Sequence, residues 1–373
     1  MPQFSPDQDN ALKAVSQWLA SKPGQLTPQG SPPQIFRLFG YAGTGKTMLA
    51  KHIAEGIDGT VKFAAFTGKA ALVMRNRGCT GAQTIHSLIY RAQDTKTETP
   101  QFQIWDNAPV GKAKLIIVDE ASMVDKALGN DLLSFGVPLL VLGDPAQLPP
   151  VSGGGYFTEA EPDVMLTEVH RQAQDDPIVK LSMAVRAGEA LQPGDYGETE
   201  VVRKREFDGD RVLSADQVLV GRNATRRKYN ERYRERLEIE EMLPIAGDRL
   251  VCLRNNRKLG LLNGSLWRVD HVVSQRSNTV KLMLSPDDEI GAKPVTVSVL
   301  KECFTGGIED MDWQQRREFE EFDFGYVLTV HKSQGSQWDD VVLFDESWAF
   351  REHRARWLYT GITRAAKRLS VVV

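Results

Sequence analysis

No stretch of the 373-residue sequence reaches the roughly 18–20 consecutive apolar residues that a membrane-spanning helix requires,. Cysteine is scarce: Cys79, Cys252 and Cys303 are odd in number and far apart, which excludes a disulfide framework or a four-ligand zinc site and leaves them as small buried apolar residues,. No sign of charge dominates, since 46 Lys and Arg oppose 49 Asp and Glu for a net charge of −3, so contact with a polyanion has to come from a local groove,. Fixed-period repeats and low-complexity tails are absent, and Met1-Pro2-Gln3-Phe4 runs into polar residues with no basic and apolar leader,. The expected location is cytoplasmic, in a bacterial cell or a phage-infected host. What is present is an ordinary globular composition, 41% hydrophobic and 25% charged, and a length that suggests two or three domains,.

Four apolar, β-rich runs punctuate the first 150 residues: Ile35–Phe39, Lys62–Phe66, Leu115–Val118 and Pro138–Leu142,. Their rhythm predicts a parallel α/β sheet. Each run ends on a polar cluster, respectively Gly40 to Thr47, Thr67-Gly68-Lys69, Asp119-Glu120 and Gly143-Asp144. Open α/β sheets bind ligands at the carboxyl ends of their strands, so the clusters should converge on one edge. A second α/β set begins with Gln217–Val220 and resumes with Tyr326–Val330, Val341–Phe344 and Leu369–Val373. Between its pieces, Leu250–Leu253, Trp267–Val273 and Thr279–Leu284, with an Asn263-Gly264 turn, predict hairpins of a small inserted β domain,. Residues 91–113 are polar and Thr-rich, carry Phe102 and Trp105, and form either an idle loop or a protruding hairpin.

Gly40-Tyr-Ala-Gly-Thr-Gly45-Lys46-Thr47 fits G-x-x-x-x-G-K-[ST] between a predicted strand and a predicted helix,. Gly43, Thr44 and Gly45 turn backbone N–H groups toward phosphate oxygens, Lys46 reaches the β- and γ-phosphates, and the Thr47 hydroxyl ligates Mg²⁺. Asp119 and Glu120 emerge beside that loop, the first to hold the metal through water, the second to polarise the attacking water. Ser5-Pro6-Asp7-Gln8 opens an amphipathic helix as a capping box, which by itself accounts for Gln8,.

Further clusters follow in a set order: Ala65-Phe-Thr-Gly-Lys-Ala-Ala71, Thr84-Ile-His-Ser-Leu88, Asp119-Glu-Ala-Ser-Met123, Gly143-Asp-Pro-Ala-Gln-Leu-Pro-Pro-Val151, Leu166-Thr-Glu-Val-His-Arg-Gln172, Val330-His-Lys-Ser-Gln-Gly-Ser336 and Tyr359-Thr-Gly-Ile-Thr-Arg-Ala365. This order resembles the motifs of superfamily 1 helicases, in particular the RecD-like and Dda-like branch, over nearly the whole chain. The resemblance implies an α/β fold of two RecA-like parallel-sheet P-loop domains with a small inserted SH3-like β-barrel domain and a short hairpin insertion. The implied boundaries are 1–175 for the first domain with a pin-like insertion at 88–113, 176–247 and 323–373 for the second, and 248–322 for the inserted domain.

The same resemblance implies an ATP hydrolase using ATP and Mg²⁺ and moving on single-stranded DNA up to duplex junctions, acting as a monomer without a membrane. Replication, repair and recombination proteins are the implied partners. Catalysis falls to Lys46, Glu120, Gln147 as γ-phosphate sensor, and Arg171 and Arg364 as arginine fingers; Gln8 and Gly335 join the phosphate loop at the nucleotide, and Thr47 and Asp119 at the metal. Thr67, Lys69, Thr84 and His86 in the first domain, with Thr329, His331 and Lys332 in the second, are the implied contacts to the strand, fixing register without reading sequence. His86 fits a packed core histidine equally well. Phe102 or Trp105 would cap the last base pair, or pack on the domain's own surface. The basic run Arg222–Arg236 alternates Arg with Glu and is expected to be first a solvated helix face, second a DNA contact.

Two departures stand out. Gln337-Trp338 occupies the stretch where the branch usually has an acidic residue, which removes a carboxylate contact to the ribose. Pro149-Pro150 stands where the 3′-to-5′ branch has a stacking aromatic, which favours 5′-to-3′ travel. Two other readings stand beside this one: an RNA-directed remodeller, which keeps the engine and changes the track, and a P-loop ATPase that leaves the motor class and switches or loads without moving. The three γ-phosphate contacts argue against the switch.

Overall fold

The computed structural model describes the chain except residues 1–3, 25–32, 93–101, 150–154, 169–174, 257 and 288–292, and only the backbone of Ala92 and Phe102. In chain order, the first part carries β1 (Ile35–Gly40), β2 (Val61–Ala65), β3 (Gln83–Thr84), β4 (Tyr90–Ala92), β5 (Phe102–Ile104), β6 (Leu115–Asp119), β7 (Leu139–Gly143) and β8 (Val164–Leu166). Six of these form one sheet in the order β3-β2-β6-β7-β1-β8, every neighbouring pair parallel. Its strands are near-continuous apolar runs because both faces are covered. Helices Pro6–Ala20, Lys46–Glu55 and Gly68–Asn76 pack on one face with Phe36, Leu38, Ile117 and Leu140; Ile85–Ile89 and Lys126–Leu133 pack on the other with Ile116, Val118 and Val141.

The rest of the chain carries β9 (Gly194–Asp195), β10 (Thr199–Val202), β11 (Gln217–Val220), β12 (Arg249–Cys252), β13 (Leu266–Gln275), β14 (Thr279–Pro286), β15 (Val295–Leu300), β16 (Phe322–Phe324), β17 (Val327–Thr329), β18 (Trp338–Phe344) and β19 (Ala365–Val372). A second six-stranded sheet runs β17-β11-β18-β19-β10-β9, parallel except for the β9 edge. Two RecA-like sheets are therefore present. The helix Pro177–Arg186 packs with helix Arg354–Ile362 in the second core, Ile178 and Leu181 against Trp357 and Leu358.

The predicted hairpins form a five-stranded antiparallel sheet, β15-β14-β13-β12-β16, whose two edges are tied by one bridge between Val299 and Glu320. Its core continues into the second sheet, since Leu250, Trp267 and Leu282 cluster with Val218, Val220 and Val327. Where the chain leaves for this sheet and returns, Asp248 is fully buried and fully bonded: Arg234 grips it with Nε and Nη2 at 3.0 Å each, and Tyr326 Oη and Ile245 N donate at 2.8 Å. This corrects the expectation of a solvated face over Arg222–Arg236. Helix Asn223–Arg236 buries Arg226, Asn230 and Arg234, spaced four apart, and Arg226 Nη1 meets Asp323 at 2.6 Å. A buried guanidinium is tolerated here because each one finds a carboxylate. After helix Ile85–Ile89, β4 pairs antiparallel with β5 in the register Tyr90↔Ile104, and the polar residues between the two strands lie outside the described ones.

Candidate active site

The phosphate loop leaves β1 and feeds helix Lys46–Glu55, whose N-cap is Gly45 at φ 79°. A Cβ there would meet the left-handed penalty, so glycine is required at this turn and again at Gly43, φ 79°,. Lys46 Nζ donates to the Gly40 carbonyl at 2.6 Å and the Tyr41 carbonyl at 2.9 Å, which folds the ammonium over the loop. Thr47 Oγ1 donates to Asp119 Oδ2 at 3.1 Å, so a hydroxyl in the first turn of the helix and the carboxylate at the end of β6 stand side by side.

Glu120 follows at φ 54°, a left-handed position for a residue with a side chain, its amide fastened to Asp119 Oδ1 at 2.8 Å. Loss of water deep in the cleft pushes its carboxyl above the ordinary range; Asp119 and Asp144 add to that rise, while Arg364 and Lys46 oppose it. A non-glycine residue in this conformation, next to the metal-ligand candidate, is strain of the kind found at reacting centres.

A cavity of about 610 Å³ opens between the two sheets. The first sheet contributes Gly43, Gly45, Lys46, Thr47, Asp119, Glu120 and Gln147; the second contributes Gly335, Ser336, Gln337, Thr363 and Arg364. The strand ends thus converge as the clusters in the sequence implied. Gln147 is buried and its Oε1 has no hydrogen-bond partner, an acceptor turned into the cavity wall. Arg364 is also buried, anchored by Nε to Thr360 O at 3.0 Å, Nη1 to Ser336 O at 3.0 Å and Nη2 to Thr363 Oγ1 at 3.2 Å, with its charge facing Glu120. Gly335, at φ 76°, presses on the first unit so closely that a Cβ would lie 2.9 Å from Ala70 Cβ.

Other expected residues fall differently. Gln8 is buried, with Oε1 accepting from Ser5 N at 3.1 Å and Nε2 donating to Thr44 O at 3.0 Å; it braces the phosphate loop from behind and does not line the cavity. Arg171 lies outside the described residues. Thr67, Thr84 and Thr329 sit at strand ends, their hydroxyls accepting from Ala70 N, Ser87 N and Lys332 N at 3.1, 3.1 and 3.3 Å. Lys69 is buried with its ammonium 4.9 Å from the centre of the Trp338 ring, a contact between the two units, not a position in an open groove. His86 is half-buried, its ring 5.5 Å from that of Tyr90, and it lines a separate pocket with Tyr90, Gln103 and Asp131. His331 packs beside Phe350 at 5.3 Å, and burial, then the charge of His353, lowers its pKa below the usual imidazole value. Lys332 stands at the mouth of another pocket, where loss of water and then the Arg226 charge lower its pKa. Trp105 is half-buried against the first core with the Arg91 guanidinium 3.7 Å from its ring centre, so its own domain occupies its face; the Phe102 side chain lies outside the described residues.

Sequence reading missed Lys51 and Arg77, which line the cavity, and the bond from Arg77 Nη2 to Gln337 Oε1 at 3.0 Å across the units. Nothing in their spacing marks them. Tyr359 stood inside a quoted motif without a role. Its hydroxyl, buried between the units, donates to Asp144 Oδ2 at 2.8 Å and accepts from Ala42 N at 2.9 Å.

The profile of an AAA domain family matches residues 29–206, and that of the UvrD-like helicase C-terminal domain matches residues 324–372. The ATP-dependent RecD2 DNA helicase of Deinococcus radiodurans is 28% identical over 96% of this chain and 49% of its own length. The ATP-dependent DNA helicase dda of Enterobacteria phage T4 is 31% identical over 48% of this chain and 42% of its own. The chain thus spans about half the length, or less, of these curated relatives. Among solved structures, Bacteroides Pif1 bound to single-stranded DNA aligns over 100% of this chain and 93% of its own at 16% identity with a TM-score of 0.59, and Candida albicans Pif1 helicase over 100% and 94% at 19% identity with a TM-score of 0.56. At such identities the likeness concerns the fold. Both family profiles and these relatives make the chain similar to the RecD-like and Dda-like branch of the superfamily 1 helicases, with an AAA domain over residues 29–206 and a UvrD-like helicase C-terminal domain over residues 324–372.

Proposed function

We propose that the chain is an ATP-driven motor that travels 5′-to-3′ along single-stranded DNA and parts the duplex at a junction. One observation carries this reading: a phosphate loop, an acidic pair and a buried glutamine from one sheet face a buried arginine and a glycine turn from the other across one cavity. Such a site is completed only when two bodies meet, so nucleotide contacts are tied to their relative position. A ligand shifts that equilibrium by its differential affinity for the closed and open states. The relatives named for DNA unwinding support DNA as the track.

ATP would lie with its phosphates on the N–H groups of Gly43 to Thr47, Lys46 swinging from its two loop carbonyls to the β- and γ-oxygens,. Thr47 and Asp119 offer a pair of hard oxygens, and no group of three or more His, Cys, Asp or Glu suited to a metal occurs among the described residues. That donor set fits Mg²⁺, which keeps waters and substrate phosphates in its shell. When bound, Mg²⁺ neutralises charge on the phosphate oxygens. Glu120 orients the attacking water and takes its proton; Gln147 senses the γ-phosphate by donating from Nε2; Arg364 stabilises charge on the transferring group from the other unit. Arg171 is assigned the same task on its motif alone.

In this reading the strand crosses the carboxyl-terminal edges of both sheets, where Thr67 and Thr84 in one unit and Thr329, His331 and Lys332 in the other contact phosphates; the Thr67 and Thr329 hydroxyls, each accepting a backbone N–H, keep a hydrogen to donate, and Thr84 shares a hydroxyl pair with Ser87,. Lys69 then belongs to the inter-unit contact. The β4–β5 hairpin is the pin, with Phe102 the better candidate for the wedge because Arg91 already covers Trp105. Residues 248–322 act as the inserted SH3-like domain, with 1–175 and 176–247 plus 323–373 as the motor halves. The chain works as a monomer alongside replication or recombination proteins.

The test is ATP hydrolysis by the purified chain alone, with single-stranded DNA and with single-stranded RNA, with Glu120→Gln as the blank. DNA is expected to stimulate strongly and RNA weakly. Equal or greater stimulation by RNA moves the track to RNA; none by either leaves a switch. Tailed duplexes then set the direction.

A further inference from the structure

Two residues of the phosphate loop are held by the opposite unit before any nucleotide contact is considered. Tyr41 carries the Arg186 guanidinium over its ring at 3.6 Å, from a helix packed in the second core, and the Ala42 N–H is taken by the Tyr359 hydroxyl at 2.9 Å. The same hydroxyl gives its hydrogen to Asp144 Oδ2 at 2.8 Å, while Asp144 Oδ1 accepts from Ala146 N at 3.0 Å at the start of the turn that carries Gln147. Tyr359 is 1% exposed and Asp144 is buried with it, so the carboxylate has little water as a substitute. An orphaned buried N–H or carboxylate oxygen costs more than the hydrogen bond itself contributes. Helix Arg354–Ile362, which bears Tyr359, leads within two residues into Arg364. One rigid segment therefore sets a hydroxyl on the phosphate loop and a guanidinium toward Glu120.

We propose that Tyr359 is a positioning residue that couples the second unit's movement to the phosphate loop and the Gln147 turn. The inference rests on the motor reading above. The hydroxyl fixes the loop and the sensor turn in one geometry relative to Arg364, so that arrival of the second unit sets all three at once. Removing the oxygen leaves the ring in its packing and uncouples the loop from the helix. The effect belongs to turnover in the strand-bound state rather than to nucleotide or strand affinity.

The experiment is steady-state hydrolysis by the full chain and by Tyr359→Phe across ATP concentrations, with and without single-stranded DNA. The strand-stimulated kcat is expected to fall about tenfold, with the KM for ATP and the half-saturating strand concentration shifting less than about threefold. Tyr326→Phe provides the comparison, because it removes another buried tyrosine hydroxyl bond, to Asp248 Oδ1 at 2.8 Å, that lies within the second unit and away from the cavity; its kcat should stay within about twofold,. Equal losses in the two variants, a loss carried by KM, or an unchanged Tyr359→Phe in a chain that DNA stimulates would overturn the inference alone. A parent chain that no strand stimulates sinks the motor reading and this inference with it. If Tyr359→Phe lacks the parent's circular-dichroism spectrum, Asp144→Asn replaces it: the same kcat loss supports the coupling, and full activity refutes it.

Discussion

β1 and β10 hold the same place in the strand orders of the two parallel sheets, yet only β1 is followed by a glycine-rich cradle. After β11, at the carboxyl edge of the second sheet, two backbone donors and a hydroxyl are already taken: Glu346 accepts from Gly221 N at 2.8 Å, Arg222 N at 2.9 Å and Thr225 Oγ1 at 2.6 Å, so the protein's own carboxylate sits at the start of helix Asn223–Arg236. The first sheet leaves its donors for a ligand. The second closes these donors, sends a tyrosine across to Asp144 and lines the shared cavity with Arg364. A helix N-terminus attracts an anion in either case, and what separates the units is whether that anion is internal or is the substrate.

This division of labour breaks most severely at Arg364. Arg364→Ala is expected to lower kcat about a thousandfold, as loss of an arginine finger does, while nucleotide binding measured by fluorescence titration changes little. Arg364→Lys keeps a charge but loses the fork that holds three partners, so most of the loss should persist. A comparable loss of binding would place the arginine in the ground state.

Next in size is the internal ion pair of the second unit. Arg234→Ala leaves Asp248 buried without its guanidinium and should destabilise by about 3–5 kcal/mol, read as a lower denaturant midpoint. A change below about 1 kcal/mol would mean that the site hydrates on its own. Glu346→Ala exposes the donors of Gly221 and Arg222 and should cost about 1–3 kcal/mol, with nucleotide affinity unaffected. Tighter phosphate binding by that variant would instead show that the second edge becomes a cradle once its carboxylate is gone.

The smallest effect belongs to the exposed pair Arg227–Glu309. Glu309 sits below its usual carboxyl value, mainly through a backbone hydrogen bond and with help from Arg227, so its contribution is present above the ordinary carboxylate range and lost as pH falls through the lowered value. Solvent screens such a pair, and Arg227→Ala should move stability by less than about 0.5 kcal/mol.

The strands that bear the site were legible because each is a short apolar run ended by a polar cluster, and the edge of a parallel sheet is where such clusters meet. β8 and β10 were not, since Val164–Leu166 and Thr199–Val202 are too short for a period to show,. The helix Asn223–Arg236 misled because hydropathy cannot separate a solvated arginine from one facing a buried aspartate. Its signal was the spacing of Arg226, Asn230 and Arg234, which puts three polar residues on one face,.

The chemistry of the phosphate loop and the acidic pair was determined by local sequence, because those groups act on a ligand through a few consecutive residues. Motif order marked Gln147, Gly335 and Arg364, but only the tertiary structure decided how the two units meet to complete the cleft. Arg364 faces Glu120, Gln337 takes the Arg77 bond and Tyr359 joins Asp144 to Ala42, pairs separated by hundreds of residues. No periodicity encodes such separations; they follow from how two packed sheets bring their edges together.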